Sequence, residues 1–78
     1  MNNQKNYKTS DLCLATVISL SLPLQGLERL GSGKAYFIFE HTDELDGLLE
    51  RYWKRDLTTE PQMFFQQLKL IKSRLYNE

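Results

Sequence analysis

Of cysteine, histidine and tryptophan the 78 residues hold one each. A lone thiol, Cys13, excludes an internal disulfide, and with His41 as the only histidine there is no ligand set for a structural metal. Neither sign of charge dominates: ten Lys and Arg offset ten Asp and Glu. A sequence-independent hold on nucleic acid shows as a basic excess, so such binding here would need a local patch. Long apolar runs are missing as well. The uncharged stretch from Leu12 to Leu24 is too short to span a bilayer. Lys5 and Lys8 ahead of it suggest a signal peptide, yet Asp11 stands at its start and no small-x-small cleavage site follows. These absences predict a cytoplasmic chain with no membrane, metal or cofactor partner, and Cys13 as a small buried thiol.

What is present is apolar and aromatic. Hydrophobic residues make up 41% of the chain, with four Phe, four Tyr and one Trp. That is enough to attempt one core, though a chain of this size is near the lower limit for folding without staples. The expectation is a single domain over residues 7–77, preceded by a flexible polar tail at 1–6.

The most β-prone stretch is Ala35 to Glu40, with Tyr36, Phe37, Ile38 and Phe39 in succession. It follows Leu24 to Leu30 across Gly31-Ser32-Gly33-Lys34, which reads as a hairpin. With Ser32 and Gly33 as the turn centre, Leu30 pairs with Ala35, Leu27 with Ile38 and Gly26 with Phe39. One face then carries Leu24, Leu30, Phe37 and Phe39. The other carries Leu27, Arg29, Tyr36 and Ile38, and its apolar character makes those four the candidate protein interface unless helices cover both faces. A three-residue turn would shift the register and these faces.

Three helices are expected around this ribbon. Thr9, Ser10 and Asp11 offer caps for the first, from about Ser10 to Leu22, where Pro23 stops it. Its polar stripe is Thr16 and Ser19, and Leu14, Val17, Ile18 and Leu20 face inward. Thr42 or Asp43 caps the second, whose inward face is Leu45, Leu48, Leu49 and Tyr52. Gly47 sits mid-helix, where close packing would explain it. Thr59 with Gln62 makes a capping-box signature for the third, which runs to about Tyr76. Its core stripe is Phe64, Leu68, Ile71 and Leu75, beside a second stripe of Phe65, Lys69, Lys72 and Tyr76.

Few of these parts point to chemistry. Gly31-Ser32-Gly33-Lys34 fails as a phosphate loop: Glu28 stands where the first glycine is needed, Ala35 where the hydroxyl is, and a strand follows instead of a helix. The carboxylates Asp43, Glu44 and Asp46 are accounted for by helix capping. A serine nucleophile would have only His41 as base, and Cys13 has no activating neighbour in sequence. Enzymatic function is therefore not expected. The basic residues Arg51, Lys54, Arg55, Lys69, Lys72 and Arg74, with Trp53 among them, are the candidate nucleic-acid contacts. Dipole matching at helix C-termini explains the same residues more simply. A ribbon-helix-helix DNA reader is disfavoured, because Phe37, Ile38 and Phe39 do not suit base edges.

Tyr7-Lys8-Thr9-Ser10-Asp11-Leu12, Phe37-Ile38-Phe39-Glu40, Leu45 and Leu48 with Tyr52-Trp53, and Phe64 and Leu68 through Leu75-Tyr76 together resemble a family of small prokaryotic, phage or plasmid proteins, a domain of unknown function. Cys13 and His41 depart from that family's pattern. The resemblance implies an intracellular setting associated with mobile elements and supplies no activity. The expected fold is α+β in the order α-β-β-α-α, with a two-stranded antiparallel hairpin packed against three helices. The expected role is a small non-enzymatic protein-interaction module with a protein partner or a second copy of itself, self-associating through the hairpin. The alternative is a nucleic-acid-binding accessory or regulatory protein using the last two helices.

Overall fold

The computed structural model describes residues 6–31 and 33–77. The expected α+β architecture is present: a β2–β3 hairpin packs against three helices. The order is β1 (Asn6–Thr9), α1 (Leu12–Ser19), β2 (Leu24–Arg29), β3 (Ala35–Glu40), α2 (Asp43–Trp53) and α3 (Pro61–Asn77). The added element is β1, which pairs antiparallel with β3 and makes the sheet three-stranded in the order β1-β3-β2. Asn6 therefore belongs to a strand and not to the expected tail, the rest of which lies outside the described residues. Because β1 and β2 run parallel on either side of β3, α1 is the crossover of a split β-α-β unit.

The hairpin register differs by one residue from the two-residue-turn expectation. The Leu30 N–H donates to the Lys34 carbonyl at 2.8 Å, and Gly33 adopts φ +85°. These close a three-residue loop with a left-handed glycine, a geometry that only glycine takes without strain. Ser32, the other half of the expected turn centre, lies outside the described residues. Arg29 then pairs with Ala35, Glu28 with Tyr36 and Leu27 with Phe37. A bulge between Leu24 and Gly26 absorbs one residue. Leu24 and Leu27, three apart, thereby both turn to the face of Phe37 and Phe39.

All three helices lie on that one face. Leu14, Ala15 and Ile18 of α1 meet Phe37 and Phe39 of β3, Leu45 of α2 and Ile71 of α3 in a single buried cluster. Tyr7, Leu24, Leu27, Leu49, Tyr52 and Leu75 pack around it. The shortest Cα dimension is 18 Å, which suits one sheet and one helical layer spaced about 10 Å apart. Tyr36 and Ile38 point the other way.

The caps follow short-range chemistry. Asp11 accepts from the Leu14 N–H at 3.1 Å, and Thr9 Oγ1 accepts from the Asp11 N–H. Thr42 accepts from Leu45 N–H. For α3 the cap is Glu60 and not Thr59: its Oε1 accepts from the Met63 N–H at 2.8 Å. Pro61 holds the first helical position, where its missing N–H is no loss, so the residue before it becomes the cap.

Helix α1 corrects two expectations. Thr16 is fully buried instead of forming an outward stripe, and its hydroxyl donates to the Leu12 carbonyl at 2.8 Å. Ser19 donates to the Thr16 carbonyl and accepts from Gln67 Nε2 at 3.0 Å, so the polar stripe faces α3. Each of these polar groups is satisfied, which makes their burial tolerable. Cys13, expected inside, is exposed. Gly47 has no packing reason, since a Cβ there would meet no heavy atom within 4 Å.

Candidate interaction surface

The register divides the hairpin candidates between two faces. Leu27 and Arg29 turn to the helical side, and Tyr36 and Ile38 to the open side. The expected four-residue interface on one face is thus not assembled, because the loop is one residue longer than the paired turn assumed. Leu27 packs on the core. Arg29 reaches the end of α3, where its guanidinium donates to the Leu75 carbonyl at 2.6 Å and the Arg74 carbonyl at 3.4 Å. A cation on the last unpaired carbonyls of a helix both caps it and suits its dipole. On the open face Tyr36 and Ile38 are half-buried by their strand neighbours. Lys8 of β1 and Glu28 of β2 join across β3 at 2.6 Å.

The helical layer is different. Among the described residues the large exposed hydrophobics are Trp53, Met63, Phe65, Leu70 and Tyr76, all on α2 and α3. Trp53 is 65% exposed and meets Tyr52 edge-on at 5.0 Å. The expected Phe65, Lys69, Lys72 and Tyr76 stripe is exposed along its length. Lys69 Nζ lies 4.9 Å from the centroid of the Phe65 ring one turn earlier, a cation–π contact. Met63 and Leu70 escaped the sequence reading, although their seven-residue spacing outside the core stripe was a usable signal.

The basic candidates are divided between the end of α2 and the second half of α3, with Arg74 set apart from Lys69 and Lys72. Helices α2 and α3 each pack more on α1 than on each other. Arg51, Lys54 and Arg55 end α2, and Lys54 pairs with Glu50 at 3.2 Å. Lys69, Lys72 and Arg74 lie about 12 to 20 Å along α3 from Pro61 at ~1.5 Å per residue. Arg74 lies on the opposite flank from Lys69, in a cleft with Ser19, Leu24 and Leu70.

Arg55 stands out by its backbone. It has φ +61°, its N–H donates to the Tyr52 carbonyl, and the Asp56 N–H donates to the Arg51 carbonyl. That is a Schellman termination with arginine where glycine is the unstrained residue.

Between the helices runs an apolar groove of about 460 Å³, lined by Cys13 and Val17 of α1, Tyr52 of α2, Leu57 and Thr59 of the connection, and Pro61, Phe64 and Phe65. A second hollow with Trp53 and Arg55 shares Tyr52 and Leu57 with it, so the concave surface continues to the tryptophan. Tyr52 and Cys13 line this groove together. Hydrogen bonding with the Cys13 side chain first, then burial and the charges of Cys13 and Asp11, push the Tyr52 phenol up to about 12. The Tyr7 phenol is also raised, by burial first and the Asp11 charge second.

His41 Nε2 meets Asp46 Oδ1 at 2.7 Å, and the ring lies 6.4 Å from Tyr7. Among the described residues no group of three or more His, Cys, Asp or Glu is arranged to hold a metal. No helix among them is long and apolar enough to cross a membrane. No significant match is found among the curated proteins or the solved structures. Residues 4–77 match DUF5659, a domain of unknown function, and the chain belongs to that family.

Proposed function

We propose that the chain is a small non-enzymatic protein-interaction module that docks through its helical layer. One observation carries this: Trp53, Met63, Phe65, Leu70 and Tyr76 are all exposed, on α2 and α3. Burying a side chain of that size is worth about 1.5–3 kcal/mol. Phe65 and Tyr76, about three helical turns apart, share one flank of α3, and such side chains left in water are an unused source of binding free energy that supports an interaction surface there. Trp and Tyr are also the residues on which interfaces concentrate affinity.

The hairpin face supports self-association less well. Its apolar content is Tyr36 and Ile38, both half-buried, beside the Lys8–Glu28 bridge. That is the ordinary make-up of a solvated antiparallel sheet face. The nucleic-acid alternative uses α2 and α3 too, but Arg74 lies on another flank of α3, and Lys69 already covers one face of Phe65.

The test is co-purification of partners from the native host with the full chain, comparing Phe65→Glu and Ile38→Lys. A partner retained by wild type and Ile38→Lys, and lost with Phe65→Glu, is the expected result. Loss only with Ile38→Lys returns the interface to the hairpin. Salt-dependent oligonucleotide binding that disappears with Lys69→Glu/Lys72→Glu establishes the nucleic-acid reading instead.

A further inference from the structure

Resting on that interaction reading, we propose that the groove between α1, α2 and α3 receives an acidic amphipathic helical segment of a partner protein. The floor is apolar: Val17, Tyr52, Leu57, Phe64 and Phe65 leave a hollow of about 460 Å³. Such a hollow suits the leucine- or phenylalanine-sized anchors that a helix presents at i, i+3 and i+4. The rim gives the sign of the partner's charge. Helix α3 contains Lys69, Lys72 and Arg74 and no Asp or Glu.

Lys69 and Lys72 stand on the Phe65 flank, and Lys69 is held over that ring at the groove's lip. Across the hollow, Arg55 borders Tyr52 and Leu57. Asp11 and Glu60, which cap α1 and α3, keep their negative charge near the α1 side and the start of α3, so the cationic side of the groove is the Lys69–Lys72 flank. Asp56, next to Arg55, adds a local counter-charge.

A second copy of this chain fits less well. Pairing α3 with itself would set cations against cations, and four of the chain's ten acids, Glu40, Asp43, Glu44 and Asp46, lie at the end of β3 and the start of α2. An acidic segment supplies opposite charge to the Lys69–Lys72 flank, which favours fast and selective docking.

The experiment selects binders to the whole chain from a random helical-peptide library and measures the enriched peptides by fluorescence anisotropy. The expected result is enrichment of Asp and Glu between Leu, Phe or Trp at helical spacing. Affinity should fall about tenfold or more with Lys69→Glu/Lys72→Glu and similarly with Phe65→Glu. Because Cys13 is the only thiol and lines the groove, a bulky maleimide on it should block the same peptides.

Circular dichroism and thermal melting show whether each variant is folded. Peptides without acidic bias, or binding indifferent to the Lys69 and Lys72 reversals and the Cys13 adduct, overturn this inference and leave the interaction module standing. A dimer in sedimentation that Phe65→Glu dissociates makes the occupant a second copy and overturns it as well. No enriched peptide, with neither dimer nor co-purifying partner, removes both readings.

Discussion

The sheet and the helical layer present their outer surfaces to water on opposite terms. On the sheet, Tyr36 and Ile38 are the only apolar side chains of β3 turned outward, and Lys8 and Glu28 join across the strand between them. On the helices, Trp53, Phe65 and Tyr76 are 65%, 56% and 75% exposed. A run of four β-prone aromatic and aliphatic residues thus yields an ordinary solvated face, whereas two amphipathic helices leave Trp53, Phe65 and Tyr76 outside. Apolar residues in a strand alternate, so that half of them reach the core side. A helix with apolar residues on two stripes can bury only one of them when its neighbours form a single layer.

The comparison breaks most readily on β3. Phe39→Ala removes a fully buried ring that pairs with Tyr7 and Leu24, and should cost about 3–5 kcal/mol by denaturant unfolding. Ile38→Ala, its neighbour on the open face, should cost about 1 kcal/mol or less. Equal losses would mean that the open face is covered. Next comes the left-handed Arg55. Arg55→Gly should raise stability by about 1 kcal/mol while weakening partner binding, and a stability gain with unchanged binding would separate the strain from the interface.

Gly47→Ala sharpens the picture on the outer side of α2. With open space around the added methyl, it should stabilise by about 0.5–1 kcal/mol and leave binding alone. A loss would show that something packs there.

The smallest effect is in alkaline solution. The Tyr52 phenol is raised above its usual value by the Cys13 hydrogen bond first, then by burial and nearby negative charge. A raised phenol favours the folded state while neutral. Its contribution is complete below about pH 10 and declines as pH rises through about 12. Cys13→Ala should bring the Tyr52 midpoint down towards the ordinary phenol value in an NMR titration of labelled tyrosine. An unmoved midpoint contradicts the hydrogen bond.

Much of the fold was legible because its signals are local. Asp11 and Thr42 cap where short polar side chains precede apolar runs, and Leu45, Ile71 and Leu75 fall at helical spacing. Strand β1 was not legible: Asn6–Thr9 is short and largely polar, and its partner β3 lies far along the chain. The hairpin faces turned on one residue of loop length, which Gly31-Ser32-Gly33 leaves open between two turn types. Thr16 and Ser19 misled because a hydroxyl can bond back to the preceding turn and be buried at small cost. Of the candidate surface, the Phe65–Lys69–Lys72–Tyr76 stripe could be read from spacing. The groove could not, since it joins α1, α2 and α3 through Leu57, a lone leucine in a connection without periodicity.

The most direct measurement is an amide chemical-shift map of the isotopically labelled full chain on titration with its co-purified partner. The account predicts shifts at Cys13, Val17, Tyr52, Leu57 and Phe65, with Lys8, Glu28, Tyr36 and Ile38 undisturbed. Shifts confined to the sheet's open face would contradict it.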